Sequence, residues 1–227
     1  MKLLIGVIAS EEPLYQRLIE EGLKRTWAMA EDDVEIVYYY GGRSSTTVEG
    51  DKVFFPVLEG VENIGRKTIE FFRFARERKI FDWLIRTNCS SYIDIANLKR
   101  FLLNKPREIF FSAVVNHYAG RPFASGSGYI LSSDLVRKVI DNEQSWNHRL
   151  LDDVAISFLL QDLGIQLQPG SRQDFQSVDQ VALIDTDQYH FRCKSFGPNG
   201  HRTDCEIMKR IHQAMAAVNP LASPTRS

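Results

Sequence analysis

The chain has 227 residues, 44% hydrophobic and 11% aromatic, enough to bury one sizeable core. Lys and Arg total 28 against 29 Asp and Glu, a balance that argues against a nucleic-acid or polyanion binder. No apolar run is long enough to span a bilayer, so no transmembrane segment is expected.

The opening MKLLIGVIAS reads as a buried first strand and not as a signal peptide. Glu11-Glu12 follow it, and there is no small-x-small cleavage pattern. Lys2 to Ala9 is continuously apolar, as in a parallel strand covered on both faces, with Ser10 at its carboxyl end. Residues 11–30 read as a helix, with Pro13 in its first turn and Leu14, Leu18 and Leu23 on one face. Val34 to Tyr40 is a second strand, broken by Gly41-Gly42. A polar loop over 43–50 and a third strand over 52–57 follow. This order begins an open α/β sheet, in which ligands bind beyond the carboxyl ends of the strands. Ser10 and the loop after Tyr40 are therefore placed near a nucleotide. No glycine fingerprint follows the first strand, which argues against a dinucleotide-dependent dehydrogenase.

Thr68 to Arg78 has an apolar stripe of Ile69, Phe71, Phe72 and Ala75. Arg66 and Lys67 at its amino end oppose the helix dipole, so they point to solvent or meet an anion. Phe81 to Thr87 is another buried strand, and Ile95 to Leu103 an amphipathic helix. Phe110 to His117 is a strand expected beside the Phe81–Thr87 strand, ended by a Gly120-Arg121-Pro122 turn. His117 is either a surface residue or part of a loop that, with Arg121, grips a sugar.

The stretch from Phe123 to Gly164 has three parts. Ser125-Gly126-Ser127-Gly128 reads as a small-residue turn entering the apolar Tyr129-Ile130-Leu131. Ser132 or Ser133 then caps a short helix, Asp134 to Ile140. Asp152-Asp153 opens a second helix, Val154 to Leu163, ended by Gly164. Carboxylates at a helix start are stabilised by its orphan N–H groups, so the acidic pair is either a cap or a functional site. Downstream, residues 165–167 form a short strand, 169–181 a polar loop and Ala182 to Ile184 a further strand segment. His190, Arg192, Lys194, His201 and Arg202 form a late basic cluster. Cys205 to Val218 is a helix. Residues 1–218 are read as one domain and Asn219 to Ser227 as a flexible tail. Cys89, Cys193 and Cys205 show no CxxC spacing, so reduced buried thiols are expected.

The Ser-Gly-x-Gly-Tyr-x-Leu-Ser segment, the acidic-Asp-Val helix start, Trp83 to Ser91 upstream and Tyr189 to Lys194 downstream occur in an order that resembles the fringe and β-3-galactosyltransferase superfamily. The resemblance runs from Lys67 to His212. It implies an A-type glycosyltransferase fold: α/β, with an open, mixed, mostly parallel sheet flanked by helices. It also implies inverting transfer from a nucleotide-sugar donor. Asp153 would be the base and Asp152 its neighbour, oriented to the helix cap or the acceptor. Lys67 would face the donor nucleotide together with Ser10, Arg86, Asn88 and Ser90. Ser125, Gly126 and Ser127 would let the backbone approach a sugar closely. His190, Arg192 and Lys194 would meet the diphosphate.

One departure stands out. The metal-holding Asp-x-Asp triplet of the resembled enzymes is replaced by Asn88-Cys89-Ser90. Neutral Asn and Ser oxygens are poor ligands for Mn²⁺ or Mg²⁺. Three readings follow: an enzyme that needs no metal or holds Mn²⁺/Mg²⁺ weakly, one that recruits Asp94, or a non-catalytic relative. The leading expectation is an inverting glycosyltransferase acting on a glycan or lipid-linked acceptor in surface polysaccharide biosynthesis. Its expected setting is the cytoplasm, at most peripheral at the inner membrane face. The alternative is a non-catalytic nucleotide-sugar or glycan-binding module of the same fold. A nucleotidyltransferase on a similar sheet is a weaker option, because it would want a metal-binding acid that the sequence does not offer.

Overall fold

The computed structural model describes residues 1–218; the expected tail over 219–227 lies outside the described residues. In chain order the elements begin with β1 (Leu3–Ile8), α1 (Pro13–Arg17), β2 (Val34–Tyr40), β3 (Thr47–Glu49), β4 (Lys52–Phe54) and α2 (Ile64–Arg78). There follow β5 (Trp83–Asn88), β6 (Ser91–Ile93), α3 (Ile95–Leu102), β7 (Phe111–Tyr118), β8 (Arg121–Ser132) and α4 (Ser133–Asp141). Last come α5 (Asp152–Asp162), β9 (Leu167–Pro169), β10 (Gln173–Asp174), β11 (His190–Arg192) and α6 (Asp204–Val218). No helix among the described residues is long and apolar enough to cross a membrane.

The sequence reading groups residues 1–218 together; the contacts gather into two compact units. The first comprises residues 1–12, 30–88 and 106–170. Its eight strands form one sheet in the order β3-β4-β2-β1-β5-β8-β7-β9. β1 runs parallel to both β2 and β5, and β2 parallel to β4. Ser10, Gly41 and Asn88 therefore leave the sheet at the same end, beyond the carboxyl ends of these strands. β1 is apolar throughout because it is central. Gly6 within it has a packing reason: a Cβ there would lie 2.2 Å from the Phe71 ring. That ring stacks on Tyr39 at 4.5 Å between centroids, which seats α2 on the sheet. Phe71, Phe72, Leu84, Phe111, Leu131, Leu135, Ile156 and Leu160 are fully buried in the core that α2, α4 and α5 share with the sheet. Each such side chain contributes about 1.5–3 kcal/mol through burial.

Four readings need correction here. β7 does not lie beside β5. β8 inserts between them, antiparallel to both. A two-residue turn, Ala119-Gly120 with φ of 51° and 76°, reverses the chain between β7 and β8, and this conformation matches the twist of a tight hairpin. Ser125 to Gly128 is accordingly not a turn but the middle of a 12-residue strand. Residues 47–49, placed in a polar loop, form an exposed edge strand.

The second unit comprises residues 13–29, 89–105 and from 171 onward. The helix expected over 11–30 is shorter. α1 passes into a π-helical turn, Leu18–Leu23. The strand expected at Ala182 to Ile184 is a 3₁₀ turn, Asp179–Leu183. A small sheet, β10-β11-β6, buries Tyr92, Phe175 and Phe191, whose rings meet at Phe191, and Tyr92 OH bonds His212 Nδ1 of α6 at 3.1 Å; Ile207, Met208 and Ile211 of α6 are buried in the same unit. Trp27 closes this core, its Nε1–H donating to the Ser91 carbonyl at 3.0 Å. The three cysteines are free and buried, as the sequence suggests.

Candidate active site

In the first unit, β5 and the start of α5 bring opposite charges together out of water. Arg86 is 3% exposed and Asp152 2%. The Arg86 NH2 group donates to Asp152 Oδ1 at 2.9 Å, and Nε lies 2.9 Å from Oδ2. Thr68 Oγ1 and Tyr129 OH also donate to Oδ2, at 3.1 and 3.3 Å. Tyr39 OH bonds Thr68 Oγ1 at 3.2 Å and accepts from Arg86 Nε at 3.3 Å. Burial is the largest single influence and works against the guanidinium charge, but Asp152, Tyr39, Tyr129 and Asp153 together outweigh it and hold Arg86 above its ordinary range. A buried pair of this kind is tolerable only when its remaining polar atoms are bonded, and here five side chains satisfy one another.

Asp152 is therefore not the helix cap that the sequence offers as one option: Leu151 stands at the cap position, and the Asp152 carboxylate is taken up by Arg86, Thr68 and Tyr129. Arg86, expected on the nucleotide, spends its guanidinium on Asp152, Tyr39 and the Gly126 carbonyl, the last at 2.6 Å. Asn88 Nδ2 donates to the same carbonyl at 3.1 Å.

That carbonyl belongs to the residue on which Asp153 rests. A Cβ at Gly126 would lie 2.5 Å from Asp153 Oδ2 and 3.2 Å from its Cγ, so only glycine lets the carboxyl lie against the strand. Flanking it, Ser125 and Ser127 are buried, with their hydroxyls 3.2 Å apart. Asp153 Oδ1 accepts the Val154 N–H at 2.9 Å. Burial, then the adjacent Asp152 charge, push the Asp153 carboxyl up from 3.8 to about 6, against the pull of Arg86 and the helix N–H groups. A carboxylate at the head of a helix, 9% exposed and with its affinity for protons raised towards neutrality, is suited to general-base chemistry.

Lys67 is 3% exposed and is committed within this unit. Its Nζ donates to the Ala9 carbonyl and to Glu59 Oε2, both at 2.8 Å. The other Glu59 oxygen accepts the Gly41 N–H at 2.6 Å. The ammonium thus ties the ends of β1 and β2 together, and its charge is balanced. Ser10 lies at the same end, its Oγ accepting the Glu12 N–H at 3.3 Å.

In the second unit, Ser90 Oγ accepts from Arg202 NH2 at 2.7 Å, while the same guanidinium grips Asp204. His190 is 4% exposed and bonds Ser91 Oγ at 3.3 Å. Burial, helped by Arg172 and Arg192, lowers it to about 3. His190 is neutral at physiological pH and adds nothing to the expected basic cluster. Arg192 lies 3.9 Å from Asp174, and Lys194 is exposed.

The residues at the Asp-x-Asp position do not fit a divalent cation. Asn88 turns an N–H towards a carbonyl, Cys89 is a buried thiol, and the Ser90 hydroxyl faces a guanidinium. Asp94, the possible recruit, caps α3 by accepting the Asn97 N–H at 2.8 Å. No group of three or more His, Cys, Asp or Glu among the described residues could hold a metal ion.

Residues 111–170 match the model of the galactosyltransferase family. UDP-GalNAc:beta-1,3-N-acetylgalactosaminyltransferase 2 of Xenopus laevis is 25% identical over 201 residues, 80% of this chain and 38% of that protein. Its Homo sapiens counterpart is 21% identical over 166 residues, 65% and 33% of the two chains. UDP-GalNAc:beta-1,3-N-acetylgalactosaminyltransferase 1 of Mus musculus is 25% identical over 166 residues, 63% and 47% of the two. The chain spans a third to a half of the length of these relatives. Two solved structures share its fold at 12% identity. One is a glycosyltransferase involved in glycosylation of the major capsid of PBCV-1, with TM-score 0.51 over 93% of this chain and 99% of that one. The other is the glycosyltransferase GlyE of Streptococcus pneumoniae TIGR4, with TM-score 0.53 over 93% and 60%. The segment matched to the galactosyltransferase family carries β8, α5 and the acidic pair, and in it the chain is similar to that family; its fold is that of the A-type glycosyltransferases.

Proposed function

We propose that the chain is an inverting glycosyltransferase that moves a sugar from a nucleotide donor to a hydroxyl of a glycan or lipid-linked acceptor. The observation that carries this reading is Asp153, pressed against Gly126 at the head of α5 with its proton affinity raised to about 6. In the proposed reaction the acceptor O–H gives its proton to Asp153 Oδ2. The acceptor oxygen bonds to the anomeric carbon as that carbon's bond to the diphosphate oxygen breaks, and the nucleoside diphosphate leaves. The donor nucleotide is proposed to lie beyond the carboxyl ends of β1 and β5, by Ser10 and Asn88. A uridine diphosphate sugar, with an N-acetylhexosamine first, is the donor to try, in view of the relatives' names. Surface polysaccharide assembly is the proposed setting.

The test is turnover: release of nucleoside diphosphate and a labelled glycoside from a panel of UDP-sugars, comparing the native chain with Asp153→Asn. Loss of glycoside formation with retained donor binding is expected, and equal turnover in both would sink the proposal. The second reading, a non-catalytic sugar-nucleotide or glycan binder, is favoured by Asn88-Cys89-Ser90 standing where metal-holding acids are expected. Donor-induced thermal stabilisation without turnover on any acceptor would select it.

A further inference from the structure

Asp153 follows directly on a residue that is fully engaged elsewhere. Asp152 and Arg86 neutralise one another in the interior, and both are fixed: Asp152 by Thr68 and Tyr129, Arg86 by Tyr39 and the Gly126 carbonyl. Neither side chain is exposed enough to meet a sugar or a nucleotide. Yet Asp152 is the chain neighbour of the proposed base, and Arg86 bonds the carbonyl of the strand residue on which that base rests.

We propose that Arg86 and Asp152 are positioning residues for Asp153: held by their own bonds, one beside it in the chain and the other on the Gly126 carbonyl, they keep one negative and one positive charge in fixed places near it, and so set the pH range in which it takes the acceptor's proton. The inference rests on Asp153 being the base. Its own helix contributes Asp152, β5 contributes Arg86, and β8 contributes Tyr129. α2 brings Thr68 and Lys67, the latter paired with Glu59. α4 buries Leu135, Val136 and Val139, none of them titratable. The Asp152 charge raises the proton affinity of Asp153 and the Arg86 charge lowers it, so removing one without the other leaves a net effect of known sign.

Asp152→Asn keeps the shape and most of the hydrogen bonds, deletes the negative neighbour and leaves the Arg86 cation uncompensated. Both changes favour ionised Asp153. The acidic limb of kcat/KM should move to lower pH by about one unit or more, while the plateau falls several-fold because the base is weaker. A residue that merely anchors α5 would lower the plateau and the Tm and leave the limb where it is. The companion variant, Arg86→Met with Asp152→Leu, removes both charges; replacing a buried pair by apolar groups of similar size is often neutral for folding. Its limb should return to within about half a unit of the native position, since the two opposing influences leave together. An unmoved or raised limb in Asp152→Asn overturns the inference. So does a displaced limb in the double variant, which decides alone if the single variant does not fold. Asp153→Asn separates the levels. If it retains transfer, the base assignment falls and this inference with it; if it loses transfer while the limb of Asp152→Asn stays in place, only this inference falls.

Discussion

Gly126→Ala isolates the contact on which the proposed base depends. The added methyl would sit 2.5 Å from Asp153 Oδ2 and 3.2 Å from Cγ, well inside van der Waals separation. The backbone cannot easily yield, because Arg86 and Asn88 both hold the Gly126 carbonyl, at 2.6 and 3.1 Å. The carboxyl must therefore swing away, giving up its bond to the Val154 N–H. Overpacking of this kind costs about 1–3 kcal/mol, and a rotating side chain keeps it at the low end. Displacing a reacting group by about 1 Å costs roughly 10²-fold in rate. The expected result is a loss of about two orders of magnitude in kcat, with a fall in Tm of only a few degrees. Steady-state transfer and thermal unfolding on one preparation measure both. Ser125→Ala serves as the neighbouring control, at most a few-fold slower. If Gly126→Ala turns over normally, the carboxyl pressed against it is not the base.

Asp153→Asn should lower transfer by about 10²–10⁴-fold and leave donor binding, read by thermal shift, intact; near-native transfer would show that the proton goes elsewhere. In the native chain kcat/KM should fall as pH drops through about 6, where Asp153 becomes protonated; a profile flat down to pH 5 contradicts this. Transfer should persist in EDTA, given that Asn88 turns an N–H to a carbonyl and the Ser90 hydroxyl accepts from a guanidinium; loss in EDTA with rescue by Mn²⁺ would refute that expectation.

The sheet was legible because central parallel strands must be apolar on both faces. Lys2 to Ala9 and Phe81 to Thr87 say so directly, within a residue or two of β1 and β5. β8 was not. Its glycines and serines have the composition of a turn, and their actual reason is the approach of Asp153, a residue 27 positions away from Gly126. The place of the acidic pair at a helix start marks it in the sequence, but the division of labour within it does not show there. The choice between an inward and an outward carboxylate is made by Arg86, 66 residues upstream, and no local spacing carries that information. Thr68 and Tyr129 as partners of Asp152, and Tyr39 as a partner of Thr68 and Arg86, are hidden in the sequence for the same reason. Charge is not legible where burial decides it: His190 is neutral, whereas Lys67 does meet an anion, the Glu59 carboxylate, which its own helix does not reveal. Sequence gives the side chain, whereas its protonation and its partner belong to the folded environment.

The same environment predicts a conflict between activity and stability at Asp153. Raising a carboxyl from 3.8 to about 6 corresponds to about 3 kcal/mol at 1.36 kcal/mol per pH unit. The sign follows from the proton count. Between these two values the folded chain binds the proton more tightly than the unfolded chain does. The protonated carboxyl therefore supports the fold fully below pH 3.8, and that support is lost as pH rises through 6. At pH 8 the native chain carries an ionised, largely buried group that the unfolded chain would rather hydrate. Asp153→Asn removes that charge while keeping an oxygen for the Val154 N–H. It should thus raise unfolding stability by up to about 3 kcal/mol at pH 8 and by little at pH 4. Urea unfolding of both chains at the two pH values measures the difference. A variant that is no more stable than the native chain at pH 8, or that gains equally at both pH values, would show that the Asp153 carboxyl is not held in the unfavourable setting on which its role as a base depends.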